Sequence, residues 1–249
     1  MAVGQAAVFD PDCRTAAPVH GRELNYRDRA RAPTARWLRE MYKDSMAARS
    51  PTQPLSPAKG ETPQTCRRCE LWERATQAVL GEGSSKAHIL LVGEQPGDAE
   101  DREGRPFVGP AGRLLDELLA QARIPRAQVF ITNAVKHFNW EPRGKRRLHK
   151  RPQLRHIEAC SVWLTAEISA LTPRVIVALG ATALRAVSGA SPPIVQLRGK
   201  PLAHDSGARI VASYHPSAIL RADEEGALQL RRAILQDLRL ARKLAAFNE

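Results

Sequence analysis

The stretch Ala87–Gly97, AHILLVGEQPG, runs from a short apolar segment straight into a turn carrying two glycines and a proline. An apolar run of this length without polar alternation suits a strand buried on both faces of a sheet. The pattern recurs. Gln128–Val135 (QVFITNAV), Arg174–Leu179 (RVIVAL) and Arg209–Ser213 (RIVAS) read as three more strands. Helical spacing separates them: Pro110 through Ala122, Ile157–Leu171, Ala181–Val187 and the long basic segment Glu224–Phe247. Strands alternating with helices of this length predict an α/β fold with a parallel sheet covered on both faces. Ligands in such folds collect at the C-terminal strand ends. Four polar segments fall there: GEQPG (93–97), TNAVKH (132–137), LGAT (179–182) and YHPS (214–217).

The chain has 249 residues, enough for one domain with an appendage. Residues 1–60 carry none of these segments and end in the proline-bearing stretch SPTQPLSPAKGETP (50–63), which reads as a linker. Residues 61–249 form the expected domain. Lys and Arg outnumber Asp and Glu by 38 to 26, an excess that favours a polyanion such as DNA or RNA over a membrane surface. No apolar run is long enough to cross a bilayer, and no basic n-region precedes an apolar one. The expected location is the cytoplasm, where structural disulfides are rare.

Each polar segment offers chemistry. Glu94 and Gln95 project from a strand end as a carboxylate beside an amide. Phe107, in the glycine-punctuated loop GRPFVGPAG (104–112), can present a flat face to a base. His215 precedes a proline turn, with Ser217 placed to cap it and Arg221 beyond. The segment Arg143–Arg155, RGKRRLHKRPQLR, holds seven cations, no acid, and His149 near its middle. Neighbouring positive charge disfavours imidazolium, so this histidine is expected to act as a base or nucleophile inside a loop that holds a phosphodiester backbone. Cys66-x-x-Cys69 and a distant Cys160 suggest a metal. Three thiolates need a fourth ligand for either a zinc site or a four-iron cluster, and His137 is a candidate.

Taken in order, these motifs resemble the iron–sulfur uracil-DNA glycosylases over residues 65–245. Two departures from the family 4 pattern, Gln95 in the first motif and His137 where a cluster cysteine is usual, together with the loop Lys145-Arg146-Arg147-Leu148-His149, are most similar to the X-type members. The resemblance implies a three-layer α/β/α sandwich around a four-stranded parallel sheet, a [4Fe–4S] cluster on Cys66, Cys69, His137 and Cys160, and uracil-containing DNA as substrate, single-stranded by preference, met by a monomer. It further implies stacking of uracil on Phe107, reading of O4 and N3–H by Asn133, and stabilisation of the departing uracilate by His215. Glu94 would orient or deprotonate His149, which would bond to C1′ of the abasic sugar. Gln95 would shape the pocket, Asp98 would place a water or the sugar, and Ser217 would contact substrate. Lys145, Arg146, Arg147, Lys150, Arg151 and Arg221 would grip phosphates. An ordinary turnover glycosylase and a non-catalytic nucleic-acid binder are the alternatives.

Overall fold

The computed structural model describes residues 59–189 and 193–246. The expected N-terminal extension therefore lies outside the described residues, apart from its last two positions. The described residues form eight strands: β1 (Glu82–Gly83), β2 (Ile89–Gly93), β3 (Val129–Asn133), β4 (Trp140–Arg143), β5 (Arg146–His149), β6 (Val175–Leu179), β7 (Leu202–Ala203) and β8 (Arg209–Ser213). The helices are α1 (Asp98–Glu103), α2 (Pro110–Gln121), α3 (Leu154–Leu171), α4 (Ala181–Ser188), α5 (Ile194–Leu197) and α6 (Glu224–Leu244).

The main sheet runs β1-β3-β2-β6-β8-β7. Its four central strands are parallel and are the four read from the sequence. The two edges, β1 and β7, pair antiparallel over two residues each, so the sheet has six strands rather than four. Segments this short carry no periodicity to read, and edges this short offer little template for pairing with another chain.

Alternate residues of the central strands feed two layers. Ile89, Leu91, Val177 and Val211 pack under Leu114, Leu115 and Leu118 of α2 and Ile234 and Leu238 of α6. Leu90, Val92, Ile176 and Ala178 are equally inaccessible and face the other way, towards the layer that holds α3 and α4. The chain leaves β2 through α2 to reach β3, then crosses by α3 on the other face to reach β6. The seam between β2 and β6 is thus the topological switch point, where a crevice opens at the strand ends.

The basic segment is not an open loop. It folds back as a hairpin, β4 against β5, pairing Trp140 with His149 and Arg143 with Arg146. Gly144 supplies φ +60° at the first position of the two-residue connection, as such a loop requires. Directly opposed arginines repel, and a lone two-stranded ribbon is marginal in water. This hairpin depends on contacts outside itself.

Candidate active site

Glu94 follows the last residue of β2 and faces the switch-point crevice. Its Oε2 accepts a short hydrogen bond from the Thr182 hydroxyl at the start of α4. Its Oε1 lies 3.5 Å from His149 Nε2, and Arg151 Nε stands 3.9 Å from Oε2. The His149 side chain remains 48% exposed, so the imidazole is both held by a carboxylate and open to an incoming strand.

Close approach brings Asn133 and Phe107 together beside Gly93. A Cβ on Gly93 would come within 2.3 Å of Asn133 Oδ1 and 2.7 Å of the Phe107 ring, so only glycine lets those two side chains meet there. Phe107 itself adopts φ +57°, an uncommon backbone for a non-glycine residue, which marks its placement as imposed by its surroundings. Gly112 permits this as well, because a Cβ there would collide with the Phe107 carbonyl. The Phe107 and His215 rings lie 5.9 Å apart at 33°. Asn133 is almost fully buried, yet no hydrogen bond to its side-chain amide is made among the described residues. That leaves a donor and an acceptor for a ligand.

His215, rather than Ser217, caps the 3-10 turn Pro216–Arg221. Its Nδ1 accepts from the Ser217 amide at 3.1 Å and lies 2.7 Å from the Ser217 hydroxyl, which in turn accepts from Arg221 at 3.0 Å. With Nδ1 serving as acceptor, the proton sits on Nε2. Burial, with Arg221 and His149 adding positive charge, depresses the imidazole pKa to about 4. His215 is therefore a neutral donor at physiological pH.

Two residues read as substrate contacts turn instead to the hairpin. The buried Gln95 amide donates to the Asn139 and Lys150 carbonyls at 3.0 and 3.3 Å and accepts from the Asn139 amide. It staples both ends of the ribbon. Asp98 bonds Arg147 and Arg102, which hold its carboxyl below the usual range. Arg147 does not join its neighbours on the outer face. Only 15% exposed, it reaches Asp98 and, at 2.6 Å, the fully buried Asp101, and stands 5.4 and 5.5 Å from the centres of the Phe138 and Trp140 rings. Lys145, Arg146, Lys150, Arg151 and Arg221 do stand exposed.

Glu100 lies outside the motifs quoted above. Its two carboxylate oxygens accept from Gly97 and Gly109 at 3.0 and 2.9 Å, tying the GEQPG turn to the Phe107 loop. A glutamate at the third position of a helix is a capping signal that the sequence carried. Asp101 lies outside them too. It takes the Thr76 amide and hydroxyl in addition to Arg147.

Cys66, Cys69 and Cys160 are unpaired thiols that share one buried cluster with Leu71, Val135 and Trp163. The indole of Trp163 donates to Cys66 Sγ at 3.4 Å, and burial pushes the Cys160 thiol up to about 12 despite a hydrogen bond from the Lys136 amide. His137 is buried, and burial lowers its pKa, which favours the neutral imidazole that a metal needs. The donor types and the N–H groups aimed at sulfur suit an iron–sulfur group. Among the described residues, however, no three His, Cys, Asp or Glu side chains are drawn together as a metal-holding group.

The family model described as the uracil DNA glycosylase superfamily matches residues 80–239, which include all of this crevice. The chain belongs to that superfamily. It is 40% identical over 183 residues to a type-4 uracil-DNA glycosylase of Thermotoga maritima, covering 73% of this chain and 90% of that protein. A type-4 uracil-DNA glycosylase of Sulfurisphaera tokodaii is 36% identical over 189 residues, covering 73% and 80%. A type-5 uracil-DNA glycosylase of Pyrobaculum aerophilum is 31% identical over 176 residues, covering 64% and 74%. The superfamily assignment agrees with the parallel-sheet sandwich.

Proposed function

We propose that this chain excises uracil from DNA and that His149 then captures the sugar as a covalent protein–DNA adduct. The observation that carries the reading is the Glu94–His149 contact at the switch point, on the crevice that also holds Asn133, Phe107 and the donor Nε2–H of His215. Uracil turned out of the strand stacks on Phe107, and the free Asn133 amide pairs with O4 and N3–H. The bond between C1′ and the base nitrogen breaks and its electron pair leaves with uracil, whose developing charge takes the His215 N–H. A lone pair of the His149 imidazole then forms a new C1′–N bond, and the surplus ring proton passes to Glu94 or water. The exposed Lys145, Arg146, Lys150, Arg151 and Arg221 hold phosphates without reading sequence. Single-stranded DNA is the preferred substrate because no base pair opposes extrusion.

A four-iron cluster on Cys66, Cys69, Cys160 and His137 belongs to this proposal, supported by the three thiols in one apolar cluster and by the Trp163 N–H on Cys66 Sγ. It would pin the segment around Cys66 to α3 and take no part in the bond-making steps.

Identity to type-4 relatives favours a second reading, turnover with water as the nucleophile. Uracil-containing single-stranded DNA and a denaturing gel separate the two. The proposal expects one stoichiometric adduct that survives heat and detergent, none with thymine DNA, and its loss in His149→Ser while uracil is still released. Catalytic release of uracil without an adduct in the wild type would establish the turnover reading.

A further inference from the structure

Lys136 lies at the end of the segment leading out of β3, where a lysine reads as a surface residue, yet it is completely inaccessible to solvent. A buried ammonium persists only when charge and all three N–H groups are satisfied. Here Nζ donates to Thr132 Oγ1 at 2.6 Å, to the Asn133 carbonyl at 2.9 Å and to Glu167 Oε2 of α3 at 2.8 Å. Thr132 closes the ring by donating to Glu167 Oε1 at 3.1 Å. Two of the three acceptors belong to consecutive residues of β3, and the second is the main chain of Asn133 itself.

We propose that Lys136 and Glu167 are positioning residues that set the angle of the Asn133 amide and so determine base selectivity; this rests on the uracil reading above. Neither touches the base. The backbone beyond Asn133 is held from the other side, with the Ala134 and Val135 amides donating to the Gly93 and Glu94 carbonyls. The Lys136 ammonium fixes the Asn133 carbonyl, while Gly93 and Phe107 confine its side chain. An amide discriminates uracil from cytosine by presenting donor and acceptor in a fixed order. A paired contact of this kind is worth about tenfold or more in selectivity only when it cannot rotate away. Glu167 is required in turn, because without it the ammonium would lack its counter-charge and tilt towards Thr132.

The test compares wild type, Lys136→Met and Glu167→Gln in the full chain. Each is titrated with single-stranded oligonucleotides carrying uncleavable 2′-fluoro analogues of deoxyuridine or deoxycytidine. The expected result is a uracil-over-cytosine preference in the wild type that shrinks about tenfold in both variants, through weaker uracil binding at unchanged cytosine binding. Thermal melting confirms folding, and Glu167→Gln decides the matter should Lys136→Met fail to fold. An unchanged preference, or a parallel fall in both affinities, would overturn the positioning role while leaving the uracil reading intact. Absence of any preference in the wild type would instead remove that reading, and this inference with it.

Discussion

Arg147 and Asp101 join the hairpin to the body of the protein: the guanidinium meets the inaccessible carboxylate at 2.6 Å, two residues before His149 in the same strand. The register of β5 then brings His149 to Glu94. Arg147→Ala leaves Asp101 with Thr76 alone, and breaking a buried pair from one side costs about 3 kcal/mol. Hydrogen exchange should show the hairpin amides opening. Adduct formation should slow at least about tenfold, since capture needs near-contact geometry. An unchanged adduct rate would show that the latch does not aim His149.

Glu100 accepts one N–H from each ligand loop. Glu100→Ala leaves both amides unpaired and should lower stability by about 1–3 kcal/mol for each that stays dry. Glu100→Gln keeps one acceptor and should fall between the two. Urea melts order the three proteins. Equal midpoints would mean water replaces the carboxylate without cost.

The pH dependence follows from His215. Its folded pKa, about 4, lies below the ordinary 6.5. Between these values the unfolded chain binds more protons, so the stability present above pH 6.5 is lost as pH falls towards 4. This residue should contribute at most about 3 kcal/mol of that loss. His215→Asn retains a cap for the Ser217 amide but does not titrate, so its stability–pH curve should be flatter. Parallel curves would exclude His215 as the source.

Cys66→Ala should lose iron and sulfide together and lower the melting temperature, whereas His137→Cys should keep both. Metal analysis of anaerobically purified protein checks this. Stoichiometric zinc without sulfide would replace the cluster by a zinc site.

A chain beginning at Glu61 should retain uracil excision and adduct formation. The start keeps the bidentate Glu61–Arg68 pair at 2.7 and 2.9 Å. A folded, iron-loaded truncation without activity would show that residues 1–60 take part in the chemistry.

Apolar runs made the four central strands legible, because a strand buried on both faces needs unbroken hydrophobicity. The hairpin was illegible for the opposite reason. Arg143, Arg146 and Arg147 give no alternation, and the ribbon is held by Gln95, Asp98 and Asp101, residues distant in the chain. The pocket role of Gln95 and the water- or sugar-placing role of Asp98 rest on the family resemblance alone. Only the fold shows that their side chains are committed to protein partners. Lys136 stands within TNAVKH, but nothing in the sequence places Glu167 beside it, and its burial is visible only in the fold. The individual chemical roles of Glu94, Asn133 and His215 came from motif resemblance, and the structure adds the tautomer, the close approach and the shared carboxylate.

The fixed tautomer of His215 has one more consequence. Its only lone pair is already occupied by the Ser217 amide, so this residue can give a proton but cannot take one from water. A hydrolytic route would then draw its base from across the crevice, where Glu94 is held by Thr182 and His149. On the proposed mechanism, recycling and self-consumption would differ in what stands at Glu94 Oε1, which faces His149. Water and imidazole would compete for that one oxygen atom, and the proposal makes the protein catalyst or single-use reagent according to which of them stands there when the base departs.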